Sequence, residues 1–309
     1  MTDTLSLRGL VPACPTPLMV NGNCDKAGMK ALIDYMIEHG VNGVVPLGGT
    51  GEFTALRHSV RIQALEATVA AAAGRVPVVA GVLCPGIGDA IETGRDFKAA
   101  GADALMIIAP FYSNTDQQGV IAYYRAFREA VDLPIVLYDN PARSRIVLTP
   151  DTIVTLANEG TVIGMKASNT DLYHFDNVME RVSPDFQMLS GQDTLFTQQV
   201  SQGARGGVLT SAVLVPGAWN EVQALAEAGK FKEALALQRK LGPLMDALFI
   251  QEFPATVRYA LDLIDLAGGA PLLPVAQVPE AHKQVLFDVM SKLHAEGILP
   301  VKPARKERG

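Results

Sequence analysis

Short apolar runs alternate with amphipathic segments along most of the chain. The runs cover 9–15, 41–48, 76–83, 104–110, 134–139, 162–167, 186–190 and 206–211. Each is apolar nearly throughout rather than at every second position, the pattern of strands buried on both faces of a parallel sheet. The segments between them carry helical spacing. In 25–38, Met29, Leu32, Ile33 and Met36 share one face, and 60–72 and 119–130 read the same way. Thr149-Pro150-Asp151 predicts a helix start: a capping hydroxyl, a proline with the φ of the first turn, and an acid at the positive end. Gly40, Gly74, Gly101 and Gly203 stand where helices should stop.

Counted in order, these are eight strand–helix units ending near Gly229. Regular alternation implies right-handed crossovers and a parallel sheet, and eight units close a (β/α)8 TIM barrel. A doubly wound open sheet is the alternative, but no nucleotide-binding fingerprint favours it. Past Gly229 the strands stop, and 231–241, 255–266 and 281–293 read as helices joined by a proline-rich connector at 271–279. The expected organisation is a barrel over 1–229, a C-terminal helical extension over 230–301 and a flexible basic tail over 302–309.

Composition narrows the class. The chain has 309 residues, 49% hydrophobic and 19% charged, with a net charge of -6, which excludes a disordered protein. Its 28 Gly without period and 3 Cys exclude collagen-like and disulfide-scaffold classes. Cys14, Cys24 and Cys84 have no CxxC spacing. The N-terminus lacks the basic start and apolar run of a secretory signal, and no apolar stretch approaches the roughly 20 residues that span a bilayer. A cytoplasmic protein without a membrane partner is expected. An isoelectric point near 5.4 speaks against nucleic acid, and the basic cluster of Lys302, Arg305, Lys306 and Arg308 reads as a solvated tail. The five histidines show no metal-binding spacing, so no metal is expected.

Three places carry chemistry. Gly48-Gly49-Thr50-Gly51-Glu52 follows the second predicted strand; its backbone N–H groups and the Thr50 hydroxyl can meet an anion, and barrel sites lie at that end of the strands. Lys166 interrupts the apolar run Val162-Ile163-Gly164-Met165-Lys166-Ala167-Ser168. Burying a lysine favours the neutral, nucleophilic amine, which forms a Schiff base with a ketone. A strand-end lysine reaching solvent or pairing with an acid is the plainer alternative. Tyr138 ends the fifth strand and Arg143 follows it; a tyrosine there can move protons, and an arginine can grip a carboxylate.

With these stretches the chain resembles the dihydrodipicolinate synthase / N-acetylneuraminate lyase family of class I aldolases. The resemblance rests on 43–52, Pro110-Phe111-Tyr112, 138–143, 163–166, Ser190-Gly191 and 206–211, in family order. It implies that Lys166 forms an imine with pyruvate or a 2-keto acid, with no other cofactor, and that Tyr138 is the acid/base beside it. Thr50 and the backbone of Gly49 and Thr50 would bind the keto-acid carboxylate. Tyr112 would reach across a dimer interface to complete a proton relay, implying a homo-oligomer, a dimer of dimers. Gly191 and Leu209 would line the keto-acid pocket.

The departures bear on the subfamily. Dihydrodipicolinate synthases carry a second threonine where this chain has Gly49, so a relay would pass through water, Ser168 or Thr210. Arg143 matches the arginine that a synthase uses for its aldehyde substrate's carboxylate. The 166–173 segment is similar to the sialic acid lyase branch, which has an acid where this chain has Thr194. The 48–53 segment is similar to the 5-dehydro-4-deoxyglucarate dehydratase branch. The mixture predicts a Schiff-base lyase or dehydratase of 2-keto(-3-deoxy) acids. A true dihydrodipicolinate synthase in lysine biosynthesis, or a non-catalytic keto-acid-binding protein on the same scaffold, are the alternatives. Direct contacts to the substrate from Arg143, Ser168, Thr194 and Thr210 would decide among substrates.

Overall fold

A computed structural model of the chain describes residues 5–305. Seven strands pair in one parallel sheet: β1 (Gly9–Leu10), β2 (Val79–Val82), β3 (Ala104–Ile108), β4 (Ile135–Asp139), β5 (Gly164–Ala167), β6 (Gln187–Ser190) and β7 (Gly206–Gly207). Their order, β1-β7-β6-β5-β4-β3-β2, makes sequence neighbours into spatial neighbours, as helical crossovers between parallel strands require. Every strand is buried along its length, which is why the runs read as continuously apolar. The result is an α/β barrel-like fold, a curled sheet wrapped in helices.

The second expected strand, 41–48, departs from the sequence reading. It contributes two isolated bridges, Ala13 with Val45 and Val44 with Val78, and no regular strand. Its bonds nevertheless reach both edges of the sheet: Val45 N donates to Pro12 O at 2.8 Å and Val44 N to Pro77 O at 3.0 Å. Prolines explain the gaps. Pro12, Pro46 and Pro77 lack the N–H that alternate rungs need, so the ladder cannot run on.

Helix signals in the sequence hold closely. Asp25 accepts from Gly28 N at 2.9 Å to start Lys26–Glu38, and Thr149 accepts from Thr152 N to start Pro150–Asn158. Gly40, Gly74, Gly101 and Gly203 all have positive φ where the preceding helices end.

The C-terminal helices are Phe231–Leu248, Ala255–Leu263 and Glu280–Ala295. The first runs past its expected end and through Pro243. A proline inside a helix costs about 3 kcal/mol, but Leu244, Met245, Ala247 and Leu248 are buried beyond it and outweigh that loss. Part of the expected tail is held in place: Ala304 N donates to Leu263 O at 2.8 Å, and the Arg305 guanidinium sits 4.9 Å from the Phe287 ring. Lys306 and Arg308 lie outside the described residues. Among the described residues no helix is long and apolar enough to cross a membrane.

One ion pair ties these helices to the rest. Arg258 and Glu52 are both buried, and Arg258 Nε donates to Glu52 Oε2 at 2.5 Å. The same guanidinium donates to Gly268 O at 2.6 Å, while Glu52 Oε1 accepts from Leu272 N at 2.8 Å. Removing one partner of a buried pair strands the other charge. Arg258→Met should therefore lower stability by about 3–5 kcal/mol in urea unfolding, and Glu52→Leu combined with Arg258→Met should recover much of that loss.

Candidate active site

The register of the sheet sets the site. Tyr138 on β4 pairs with Lys166 on β5, and Lys166 pairs with Leu189 on β6. Paired residues point to the same face, so both side chains enter the interior one residue before their strands end. Lys166 is only 6% exposed, which excludes the solvent-reaching alternative. Among the described residues no carboxylate forms an ion pair with it; its Nζ lies 4.4 Å from the centre of the Tyr138 ring. Burial pushes the Tyr138 phenol up, but the Lys166 charge and hydrogen bonds with Asn140, Ser168 and Lys166 outweigh burial, leaving it below its ordinary value.

The hydroxyls fall into two groups. Ser168 Oγ donates to Gly191 O at 3.0 Å, alongside Tyr138. Gly191 has no alternative at this approach: a Cβ there would run into Ser168 Oγ and lie 2.9 Å from Ala167 O. Thr50 and Thr210 are both buried, and their hydroxyls meet at 3.1 Å. In the glycine turn, Leu47 and Glu52 have positive φ, and a Cβ on Gly51 would lie 2.8 Å from Leu47 N. Gly49 is different, since a Cβ there meets nothing within 4 Å. Leu209 is fully buried beyond β7.

Three expected residues are not brought into this group within the chain. Arg143 is exposed in the short helix Pro141–Ser144, with no ion pair among the described residues. Thr194 is exposed, and its carbonyl accepts from Gln238 Nε2 at 2.9 Å. Tyr112 is 97% exposed with a φ of +73°.

Sequence reasoning passed over two acids and an amide. Asp193 is buried and accepts from Ser211 N at 2.8 Å, Ser211 Oγ at 2.5 Å and Thr210 N at 3.3 Å; Trp219 Nε1 donates to Ser211 Oγ at 2.9 Å. It pins the turn that presents the Thr210 hydroxyl. Burial raises its carboxyl despite these bonds and the nearby Lys166 charge. Asn140 Nδ2 donates to Tyr138 Oη at 2.8 Å. Asp139 points away from Tyr138 and is 1% exposed, with neither carboxylate oxygen in a good hydrogen bond. Burial pushes it up to about 6, against the opposing pull of His174 and Asn169. Their signal was available: an acid and an amide directly behind a strand-end tyrosine, and an acid two residues after Gly191.

A desolvated lysine beside a tyrosine, at the C-terminal end of a barrel-like α/β sheet, is the kind of arrangement found in enzymes of the lyase class. The chain belongs to the dihydrodipicolinate synthetase family, whose profile matches residues 6–293, and is a lyase. It is 36% identical over 273 residues to the 4-hydroxy-tetrahydrodipicolinate synthase of Roseobacter denitrificans, covering 88% of this chain and 94% of that one. It is similar to the chloride-inhibited dihydrodipicolinate synthase of Acinetobacter baumannii complexed with pyruvate, with a TM-score of 0.89 at 30% identity over 95% of this chain and all of that one. It is also similar to a monomeric dihydrodipicolinate synthase variant, with a TM-score of 0.89 at 27% identity over 95% of this chain and 98% of that one. Enzymes of this family need no cofactor beyond the imine on a lysine.

The Asp139 carboxyl generates a stability prediction. Raised from 3.8 to about 6, it keeps its proton in the folded chain over a range where the unfolded chain releases it. Stability therefore falls as pH rises from about 4 to about 6, and the loss stays in force above that. Asp139→Asn should melt higher than the parent at pH 8, by an amount on the order of 2–3 kcal/mol, with the two curves meeting near pH 4. Equal melting at both pH values would contradict this account.

Proposed function

We propose that this chain is an imine-forming lyase acting on pyruvate or a 2-keto acid. The observation that carries the reading is Lys166, buried, without an ion pair among the described residues, and 4.4 Å from the Tyr138 ring. Tyr138, biased toward phenolate, takes a proton from Lys166 and frees the amine. The amine adds to the C2 carbonyl; Tyr138 returns the proton as water leaves, and the resulting iminium is an electron sink. In cleavage, the C4 hydroxyl loses its proton to Tyr138, the C3–C4 bond breaks and its electron pair enters the iminium. The aldehyde departs, the enamine takes a proton at C3, and water releases pyruvate and Lys166. Condensation is the reverse. Loss of a C3 proton followed by departure of a hydroxyl from C4 makes the same imine a dehydratase.

Thr50 and the backbone of Gly49 and Thr50 hold the keto-acid carboxylate in this reading, with Gly191 and Leu209 lining the pocket. Arg143, Ser168, Thr194 and Thr210 surround the remainder of the substrate. The scaffold is a closed (β/α)8 barrel as far as residue 229, in which the 41–48 segment fills the eighth place, extended by helices over 230–301. Tyr112, so exposed, fits a residue covered by a second copy in a homo-oligomer, the dimer of dimers.

A condensing enzyme, 4-hydroxy-tetrahydrodipicolinate synthase, is the specific reading that the relatives' names favour, and the uncommitted Arg143 suits a second carboxylate. Borohydride added with pyruvate should leave a reduced adduct on Lys166, absent in Lys166→Ala. Tyr138→Phe should slow turnover by roughly 10²–10⁴-fold. Turnover with pyruvate and aspartate semialdehyde supports the synthase. Pyruvate release or dehydration with a panel of 2-keto-3-deoxy acids, and none with the semialdehyde, supports the catabolic lyase. Full activity in Lys166→Ala would refute both.

A further inference from the structure

We propose that Glu52 and Arg258 are positioning residues for the keto-acid carboxylate. Their buried ion pair holds the glycine turn in the shape that presents Thr50 and the neighbouring N–H groups to the substrate. The inference rests on the imine-forming reading above and adds to it two residues from outside the group around Lys166.

The turn needs outside support. Leu47 and Glu52 flank it with φ of +62° and +55°, the left-handed region that a side chain makes unfavourable. Such a conformation persists only where the surroundings over-determine it. At Leu47 the support is backbone closing around backbone. A Cβ on Gly51 would lie 2.8 Å from Leu47 N, and one on Gly81 of β2 would lie 2.4 Å from Leu47 O. At Glu52 the backbone bonds are longer: Glu52 N donates to Gly49 O at 3.1 Å and Phe53 N to Gly48 O at 3.3 Å. Here the side chain supplies the rest. Glu52 stands directly before the short 3-10 turn Phe53–Ala55 but does not cap it. Its Oε2 accepts from Arg258 Nε at 2.5 Å, and its Oε1 accepts from Leu272 N at 2.8 Å. Both oxygens are therefore held, from two different segments.

The receiving side is equally fixed. Arg258 is fully buried on the helix Ala255–Leu263, and its Nη1 donates to Gly268 O at 2.6 Å. A Cβ on Gly268 would lie 1.8 Å from Arg258 O, so the returning chain lies flush against that helix. Asp262 Oδ1 clamps the same return, accepting from Gly268 N at 2.9 Å and Gly269 N at 3.3 Å. An apolar pair would serve stability as well as these two charges do, but it has no direction. The ion pair fixes where the Glu52 carboxylate points and, through it, the backbone that follows Thr50. Thr50 lies two residues away, with its hydroxyl 3.1 Å from that of Thr210. Lys166 and Tyr138 take their positions from the register of β4 and β5 instead. Loss of the pair should therefore weaken the grip on the carboxylate and spare imine formation.

Glu52→Leu combined with Arg258→Met removes the pair and strands neither charge. The readout is borohydride-trapped adduct on Lys166 against ketone concentration, with pyruvate and with acetone, which offers a carbonyl without a carboxylate. In the double variant half-saturating pyruvate should rise about tenfold or more, the loss of roughly one charge-assisted hydrogen bond. The limiting trapping rate should stay within about threefold, the split expected when binding alone is lost. Acetone trapping should change by less than about twofold. Arg258→Lys keeps the charge without the planar fork and should raise half-saturating pyruvate by about threefold. If the double variant does not fold, Arg258→Lys gives the same comparison of the two ketones. Half-saturating pyruvate unmoved in a folded variant overturns the inference, as does an equal loss with pyruvate and acetone. Absence of any pyruvate adduct in the parent protein overturns the imine-forming reading itself, and the inference with it.

Discussion

The pairing of β4 with β5 in the register that sets Tyr138 beside Lys166 is the constraint on which the site depends. A lysine taken out of water needs something to compensate the lost hydration. The usual compensation is a carboxylate, which would hold the amine charged and unreactive. Here the neighbour is the Tyr138 ring, 4.4 Å from the amine, with its phenol oxygen held by Asn140. A slip of one residue would turn Lys166 toward the helices and bring Ala167 inward, so the chemistry is a consequence of strand register before it is one of any loop.

Around that pair, buried polar groups do the holding. Asp193 grips the 210–211 turn and Trp219 closes the same network, which leaves the Thr210 hydroxyl facing Thr50. Glu52, at the end of the glycine turn, is tied to Arg258 and to the connector at Leu272. The C-terminal helices are therefore mechanically joined to the segment next to Thr50. An extension that looked like an appendage in the amino-acid pattern anchors a loop of the site.

Much of the molecule was legible because its signals are local. Continuous apolar runs separated by helical spacing revealed parallel strands and crossovers, and Asp25, Thr149 and the helix-ending glycines marked boundaries through their own backbone preferences. Lys166 announced itself by standing in an apolar strand. The 41–48 segment misled because its apolar pattern is that of a strand while Pro46, and the prolines facing it, remove the rungs a strand needs. Arg258 was passed over because a charge on the buried stripe of a helix makes sense only with its partner, which lies 206 residues away.

By itself the sequence determined the alternation of elements, the order of the strands and the presence of a lysine and a tyrosine at the ends of adjacent ones. Each of these follows from composition and spacing within a few residues. Tertiary structure alone decided which polar groups meet: Ser168 with Gly191, Thr50 with Thr210, Asn140 with Tyr138, Asp193 with the turn after β7. Those contacts depend on register, twist and the direction of single bonds, and differences of an ångström separate a hydrogen bond from none. The same geometry gives Gly51 no room for a side chain and leaves open space at Gly49, though the two read alike along the chain.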